Sequence, residues 1–424
     1  MRRRIVVIGG GECGTRAALA LRAYGFDGSI SVVDSDPFAP YERPPLSKTA
    51  LVDAAAGLPG GAVVTGSLRS ASIEFVYGRI EAIDRRARRL RFEGRREMSY
   101  DRLLLATGAR AASLSVPGGE HALPLRTWQD VLRLRDHLQP GMAAVVIGGG
   151  FLGLEIAACA ALRGCSVTVL EQAFRVLERS VPASIASVVA ARHRRERVDI
   201  RCGARVAALR RKARRFTVEV RDSDPFVADV VIAAAGARPN TELANAAGLR
   251  TEAAIVVDSR FATSDGAIFA AGDCCSFPLP FADGARLRLE SWRNAVDHGD
   301  AAAFALLGTS RPYKAVPWFW SDQYDLTLQI AGIPSLGARE VFRVREDGVE
   351  IRFDLASDGR LVSASAIGEG DSVAKDIRLA FLAIGRGSCP SSVDLADPAR
   401  PLRTVLLNDG AHARRNDEAA RVRR

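Results

Sequence analysis

The sequence predicts an α/β protein: two Rossmann-like dinucleotide-binding domains followed by a smaller C-terminal α+β domain. Three observations predict it. A strand–glycine turn–helix–strand–acid pattern opens the chain between Arg4 and Asp36. The same pattern returns at Met142–Glu171, with Gly148 standing 139 residues after Gly9. One βαβ unit closes in about 30 residues, so the repeat means two separate folds. From Pro312 the texture changes to short alternating strands. The expected division gives residues 1–113 and 241–312 to the first fold and 114–240 to the second. Residues 313–407 form the α+β domain, and 408–424 a disordered tail.

Each element has its own reason. Arg4–Ile8 is a β-branched apolar run, and Gly9, Gly11 and Gly14 after it fit G-x-G-x-x-G. In that pattern Gly9 makes the tight turn, Gly11 lets backbone approach a pyrophosphate, and Gly14 lets helix pack on strand. Ala17, Ala18 and Leu21 mark the helix, whose N-terminus suits an anion. Ile30–Val33 is the second strand, and Asp34 and Asp36 stand where a carboxylate takes a ribose hydroxyl. Arg69–Arg96 reads as an antiparallel meander of Ile73–Tyr77, Ile80–Ile83 and Leu90–Phe92. Arg102–Ala109 is a buried strand ending on Thr107-Gly108, where bare backbone can pass close to a ligand. After a boundary at Pro117–Gly119 comes an amphipathic helix, Thr127–Leu138.

The second fold repeats the first through Gly148, Gly150, Gly153 and Glu171. A carboxylate at Glu171 favours the free 2′-hydroxyl of NAD(H), while Arg175 nearby keeps NADP(H) open. Arg201–Val220 reads as another meander, and Val227–Ala235 as a buried strand ending at Gly236. Ile268–Ala271 ends in Gly272-Asp273, a carboxylate placed to bind a sugar-like chain, and Glu290–Leu307 reads as a helix. The last domain holds the aromatic cluster Pro317–Trp320, four strands (Leu326–Ile330, Val341–Val344, Val349–Phe353, Leu361–Ala366) and a helix near Ala374–Ile384.

Composition excludes several classes. Hydrophobic content of 48% and charged content of 25% are those of an ordinary globular chain. No apolar run approaches the roughly 18 residues of a membrane span. The apolar run after MRRR stops at Gly9-Gly10-Gly11, too short for an export signal, so a cytoplasmic protein is expected. The seven cysteines show neither C-x-x-C nor metal-finger spacing, so no metal is expected. Cys13 and Cys159 read as small buried hydrophobes, and Cys274–Cys275 as no redox pair, since adjacent cysteines bridge only with strain. The five histidines (His121, His137, His193, His298, His412) are scattered and read as surface residues rather than catalysts. Net charge is +10, yet only Lys48, Lys212, Lys314 and Lys375 among 59 basic residues are lysines. Without an aromatic-studded basic block, nucleic acid is not expected as a partner; an acidic protein is.

The words PYERPPLSK (Pro40–Lys48), LLLATG (Leu103–Gly108), IGGGFLGLE (Ile147–Glu155), FAAGD (Phe269–Asp273), ESWRN (Glu290–Asn294) and WFWSDQ (Trp318–Gln323) occur in this order. From Ile5 to about Leu407 the chain resembles the FAD-dependent pyridine-nucleotide reductases. The branch is that of the ferredoxin reductases, including putidaredoxin, rubredoxin and aromatic-ring dioxygenase reductases, within the pyridine nucleotide-disulfide oxidoreductase superfamily. The resemblance implies FAD in the first fold, on Gly9, Gly11, Cys13, Gly14, the Asp34-Ser35-Asp36 turn and Arg43. Ile80, Thr107, Gly108, Arg126 and Asp273 complete that site, with Trp292 and Trp320 near the isoalloxazine. It implies NADH in the second fold on Gly148, Gly150, Gly153 and Glu171, with Gly236 also among the dinucleotide-binding residues. Lys48 and Glu155 match the family's ion pair at the flavin's reactive edge. The family more often has Gly-Asp-Glu where this chain has Asp34-Ser35-Asp36, which leaves open the group that holds the adenosine ribose.

The implied activity is that of a ferredoxin–NAD(+) reductase. NADH gives a hydride to FAD, and electrons leave one at a time to a [2Fe–2S] ferredoxin or a rubredoxin serving a cytochrome P450 or dioxygenase. Lys48 and the start of the Glu290 helix offset the new charge, with Glu155 and Trp320 at the reacting edge. Monomer and homodimer are both compatible. Flavin disulfide reductases need a cysteine pair in the first helix, which is missing, and peroxidase relatives need a cysteine within Asp36–Leu51, which has none. A redox-gated NADH-binding interaction protein resembling apoptosis-inducing factor is the second reading. It shares the PPLSK and FWSD vocabulary but has a longer insertion in its last module.

Overall fold

The computed structural model describes residues 3–309 and 313–407. The texture change at Pro312 and the tail from Asn408 fall outside them. The chain sorts into two compact units. One takes residues up to Ser113, Leu123–Asp136 and Ala235–Lys314; the other takes Leu114–Ala122, His137–Ala234 and the segment from Ala315.

In the first unit, Arg4–Ile8 is the middle of a five-stranded parallel sheet in the order Ile268–Ala270, Arg102–Leu105, Arg4–Ile8, Ser29–Asp34, Glu74–Tyr77. A fully buried parallel strand needs an apolar side chain on both faces, which Ile5-Val6-Val7-Ile8 supplies. Ile8 pairs with both Val33 and Leu105, and Leu105 with Ala270, so four strands end side by side. The chain leaves Arg4–Ile8 toward one flank and later returns to the other, and ligands bind at such a switch point. The helix Glu12–Ala23 stops at Gly25, whose φ of +84° suits glycine.

The second unit repeats the plan with Asp199–Cys202, Ser166–Glu171, Ala143–Ile147 and Val230–Ala233 in parallel ladders. The helix Phe151–Leu162 stops at Gly164, also at φ +84°. It is apolar almost all round, as a helix buried in an interior should be. The C-terminal module is an antiparallel sheet in the order Trp318–Gln323, Leu326–Gly332, Leu361–Glu369, Glu350–Leu355, Arg339–Val344. The helix Ala374–Arg386 packs on it.

Several expectations need correction. Glu74–Tyr77 is a parallel edge strand rather than the first strand of a meander; only Ile80–Asp84, Arg89–Phe92 and Glu97–Ser99 form the antiparallel sheet. Asp199–Cys202 likewise joins the parallel ladder, and the antiparallel sheet there is Val206–Lys212, Arg215–Val220, Phe226–Ala228. Val227–Ala235 divides at Asp229 into an end of that sheet and a core strand, Val230–Ala233. The aromatic cluster is itself a strand, Trp318–Gln323. Two histidines read as surface residues are fully buried, His193 and His298 at 0% exposure, because each finds a polar partner inside.

Arginines often serve as loop clamps. Buried Arg135 donates to the carbonyls of Ala50 (2.8 Å), Ala54 (3.3 Å) and Ala56 (2.9 Å). Buried Arg343 donates to those of Leu395, Asp397, Pro398 and Arg400. Cys13, Cys159, Cys274 and Cys275 are buried. Among the described residues no helix is long and apolar enough to cross a membrane.

Candidate active site

The two glycine turns are built alike. Gly9 has φ +112° and Gly148 φ +114°, a region that L side chains avoid. A Cβ on Gly14 would stand 1.9 Å from the Gly9 carbonyl oxygen, and one on Gly153 1.9 Å from that of Gly148. Neither position admits another residue without moving backbone. Gly11 and Gly150 cap the two helices in extended conformation, and no side chain caps either end. Those helix ends therefore offer backbone N–H groups to an anion.

The acid at each second strand latches its turn. Asp34 accepts from the backbone N–H of Gly10 with one oxygen and of Asp36, at 2.9 Å, with the other. Glu171 accepts from Gly149 N at 2.5 Å and from Ala173 N at 2.7 Å. Asp36 in turn receives Phe38 N and, at 2.8 Å, the Tyr41 hydroxyl, so the exposed Ser35 rides on a turn fixed at both sides. Arg175, which the sequence left open as a 2′-phosphate ligand, donates to the carbonyls of Val176 (3.4 Å), Glu178 (3.1 Å) and Val181 (2.9 Å).

Around the first turn the structure gathers most of the expected first-fold residues. A Cβ on Gly11 would lie 2.5 Å from Arg43 Nη1. The Arg43 Nε is buried and makes no hydrogen bond. Burial, with Arg126 nearby, holds the Arg43 guanidinium below its ordinary value. Arg126 donates to the Ala109 carbonyl at 2.9 Å and to Asp273 at 2.8 Å. Gly108 adopts φ +65°, and a Cβ there would lie 3.9 Å from Arg126 Nη2. The Thr107 hydroxyl donates to the Asn240 carbonyl, and Asn240 Nδ2 returns a bond to the Thr107 carbonyl, both at 2.8 Å. Cys13 backs the Gly272 turn, 3.3 Å from where its Cβ would be, and burial pushes the thiol up. Ile80 begins its strand two residues after Gly78, whose N–H bonds the Asp34 carbonyl. Lys48 ends the short helical turn Pro44–Ser47 that starts beside Arg43. Trp292 begins the helix Trp292–Leu306, capped by Ser291 accepting from Asn294 N at 3.1 Å. Gly236, with φ +101°, belongs to this unit too, and its carbonyl accepts from Ala112 N.

One supporting residue has no sequence signal. His298 Nδ1 accepts the Gly272 N–H at 3.1 Å, inside a cage of Phe261, Phe277 and Tyr313. Burial drives its pKa down to about 3, so the ring is neutral. Its partner is a main-chain group 26 residues away, which no local pattern reports.

The second unit holds Gly148, Gly150, Gly153, Glu155, Glu171 and Trp320. Glu155 is buried on the helix Phe151–Leu162 and accepts the Ser321 hydroxyl at 2.6 Å. Trp320 stacks on Trp318, ring centres 5.2 Å apart, and donates Nε1 to Asp322 at 3.1 Å.

Comparison with known proteins decides the family. The pyridine nucleotide-disulphide oxidoreductase model matches residues 3–299, and the reductase C-terminal model residues 318–406. The chain belongs to the pyridine nucleotide-disulphide oxidoreductase family. Within that family it is 37% identical to the ferredoxin–NAD(+) reductase component of an anthranilate 1,2-dioxygenase system from Burkholderia cepacia, over 95% of this chain and 98% of that one. It is 34% identical to a rubredoxin–NAD(+) reductase of Ectopseudomonas oleovorans, over 86% and 95% of the two chains. A solved ferredoxin reductase for the CYP199A2 system of Rhodopseudomonas palustris superposes with a TM-score of 0.89, at 32% identity and 95% and 99% coverage. Membership of this oxidoreductase family implies FAD and NAD(P)H, and the first unit's residues fit such a dinucleotide. A half-buried arginine with a buried, unmet Nε sits beside a second guanidinium and a bare helix end. That arrangement calls for an anionic ligand such as a pyrophosphate.

Proposed function

We propose that the protein is an NADH-dependent flavoprotein reductase that passes electrons singly to a ferredoxin-type iron–sulfur protein or a rubredoxin serving an oxygenase. What carries this reading is the repeated, acid-latched glycine turn placed upstream of a reductase C-terminal module. No cysteine pair stands in the first helix, so a disulfide is not the acceptor.

When bound, FAD supplies the acceptance of a hydride and its release as single electrons. The chain's residues bind and tune. Arg43 and the Glu12–Ala23 helix end would hold the pyrophosphate, and Asp273, oriented by Arg126, would take a hydroxyl of the ribityl chain. Asp34 and Asp36 keep the turn that receives the adenosine side. Lys48 would supply positive charge beside the flavin; a compact ammonium suits that task in a chain where nearly every other cation is arginine. In the second unit Gly150 faces open space, and Glu171 meets the adenosine ribose of NADH. Arg175 is committed to the carbonyls of Glu178 and Val181, which turns its donors away from a 2′-phosphate. Glu155 is assigned to the nicotinamide, and Trp320, held flat on Trp318, to the flavin's apolar cover.

The test is anaerobic titration of the purified protein with NADH in the visible spectrum, then addition of a [2Fe–2S] ferredoxin. Rapid bleaching followed by reoxidation as the ferredoxin reduces is the expected result. A long-lived charge-transfer complex indifferent to ferredoxin would favour the redox-gated interaction protein, and a colourless protein that takes up no FAD would end both readings.

A further inference from the structure

Four polar side chains lie end to end inside the second unit. Alternation along Trp318–Gln323 puts Ser321 and Gln323 on one face of the strand, the face on which Phe319 meets Phe151 of the helix Phe151–Leu162. Glu155 on that helix is 6% exposed, Ser321 1%, Gln323 5%, and His193 on the helix Ala183–Arg195 0%. Ser321 Oγ lies 2.6 Å from Glu155 Oε1 and 3.2 Å from Gln323 Nε2, and Gln323 Oε1 lies 2.8 Å from His193 Nε2.

Chemistry fixes the direction of every bond in the row. A carboxylate only accepts, so the Ser321 proton points at Glu155. The Ser321 oxygen then accepts from the Gln323 amide nitrogen, which turns the amide oxygen toward His193. The imidazole must therefore carry its proton on Nε2, leaving Nδ1 toward the Tyr324 hydroxyl at 3.5 Å. Burial lowers the His193 pKa, which keeps the ring neutral. Val189, Leu326, Leu328 and Ile367 line the surroundings, so the row is a polar thread through apolar packing. Such a thread costs stability unless every member is satisfied, and an apolar core would serve packing alone as well.

We propose that His193 is a positioning residue for Glu155: acting through Gln323 and Ser321, it fixes the hydroxyl donor on the carboxylate and so the orientation in which that carboxylate meets the nicotinamide. The inference rests on the assignment of Glu155 made above. With His193 absent, Gln323 can turn over and Ser321 can send its proton elsewhere, and Glu155 loses its aim.

The test uses the FAD-loaded full chain and the variants Glu155→Gln, Ser321→Ala, His193→Phe and His193→Gln. Two readouts are taken: the limiting rate of anaerobic flavin reduction against NADH concentration, and imidazole 15N shifts of histidine-labelled protein. The limiting rate should fall about tenfold in S321A and in H193F, the loss of one hydrogen bond to a charged group. H193F should add nothing in the S321A background, and H193Q, which keeps a donor near the Nε2 position, should recover most of the rate. Wild-type His193 should show a neutral ring protonated at Nε2. A slow E155Q beside a normal H193F would overturn the relay and leave the Glu155 assignment standing. A normal E155Q would remove that assignment and the relay with it. Protonation at Nδ1 in the wild type would overturn the relay even if a variant failed to fold.

Discussion

At the scale of single residues, His298 and Glu171 show how a side chain can work through the main chain. His298 is neutral in the fold with its pKa near 3, whereas in the unfolded chain it titrates near its ordinary value of 6.5. Between those values the unfolded state binds the extra proton, so stability present above about pH 6.5 is lost as pH falls toward 3. The loss should be roughly 1 kcal/mol for each pH unit. Melting temperatures measured from pH 7 to pH 4 should therefore fall less steeply in His298→Leu than in the wild type. The same variant leaves the Gly272 N–H buried without an acceptor, a cost of about 1–3 kcal/mol that should lower stability at pH 7 and loosen FAD. Glu171 makes a different prediction. Glu171→Ala should raise the KM for NADH about tenfold or more, through the lost ribose bond and the loosened turn. NADPH should stay a poor substrate, because Arg175 keeps its carbonyls; steady-state kcat/KM with both nucleotides checks this. Equal use of the two would make Glu171 the sole determinant of selectivity and remove Arg175 from it.

At the scale of elements, the two turns can be broken separately. Gly14→Ala and Gly153→Ala each drive a methyl group into a carbonyl oxygen of the same turn. Overpacking against backbone costs about 1–3 kcal/mol or more. Gly14→Ala should yield protein that loses the yellow flavin spectrum, while Gly153→Ala should keep it yet fail to bleach at ordinary NADH concentrations. These turns were legible in the sequence because backbone geometry writes itself into residue type: only glycine fits at Gly9 and Gly148. The parallel core strands were legible as apolar runs for a similar reason. Glu74–Tyr77 and Asp199–Cys202 read as meander strands because a half-exposed edge strand shows the same alternation, and hydrogen-bond direction leaves no mark in composition. The helix Gly61–Ser70 leaves no sequence signal: two glycines, two valines and a threonine in ten residues are a poor helical composition held by its surroundings. His193 and His298 read as surface residues because their partners, Gln323 and the Gly272 N–H, are distant in sequence. A buried histidine is defined by its partner.

At the scale of the whole molecule, the charge of +10 looks outward only in part, since Arg135 and Arg343 and their like are spent on internal carbonyls. On the proposed function, the remaining charge would steer an acidic electron acceptor. Raising ionic strength from about 0.01 M to about 0.15 M shrinks the screening length from about 30 Å to about 8 Å. Over that range kcat/KM for an acidic ferredoxin should drop several-fold while NADH reduction of the flavin alone changes little. A flat salt response would make the surface charge irrelevant to docking. The arginine clamps carry another consequence. Acid unfolds proteins largely by protonating carboxylates that hold cations in place. A carbonyl does not titrate, and a guanidinium stays charged across the whole accessible range. The Ala50–Ala56 loop on Arg135 and the Leu395–Arg400 loop on Arg343 are therefore fastened by joints that acid cannot release. On acidification, hydrogen exchange should open the Arg16–Asp300 and Arg85–Asp265 contacts first and reach these two loops last.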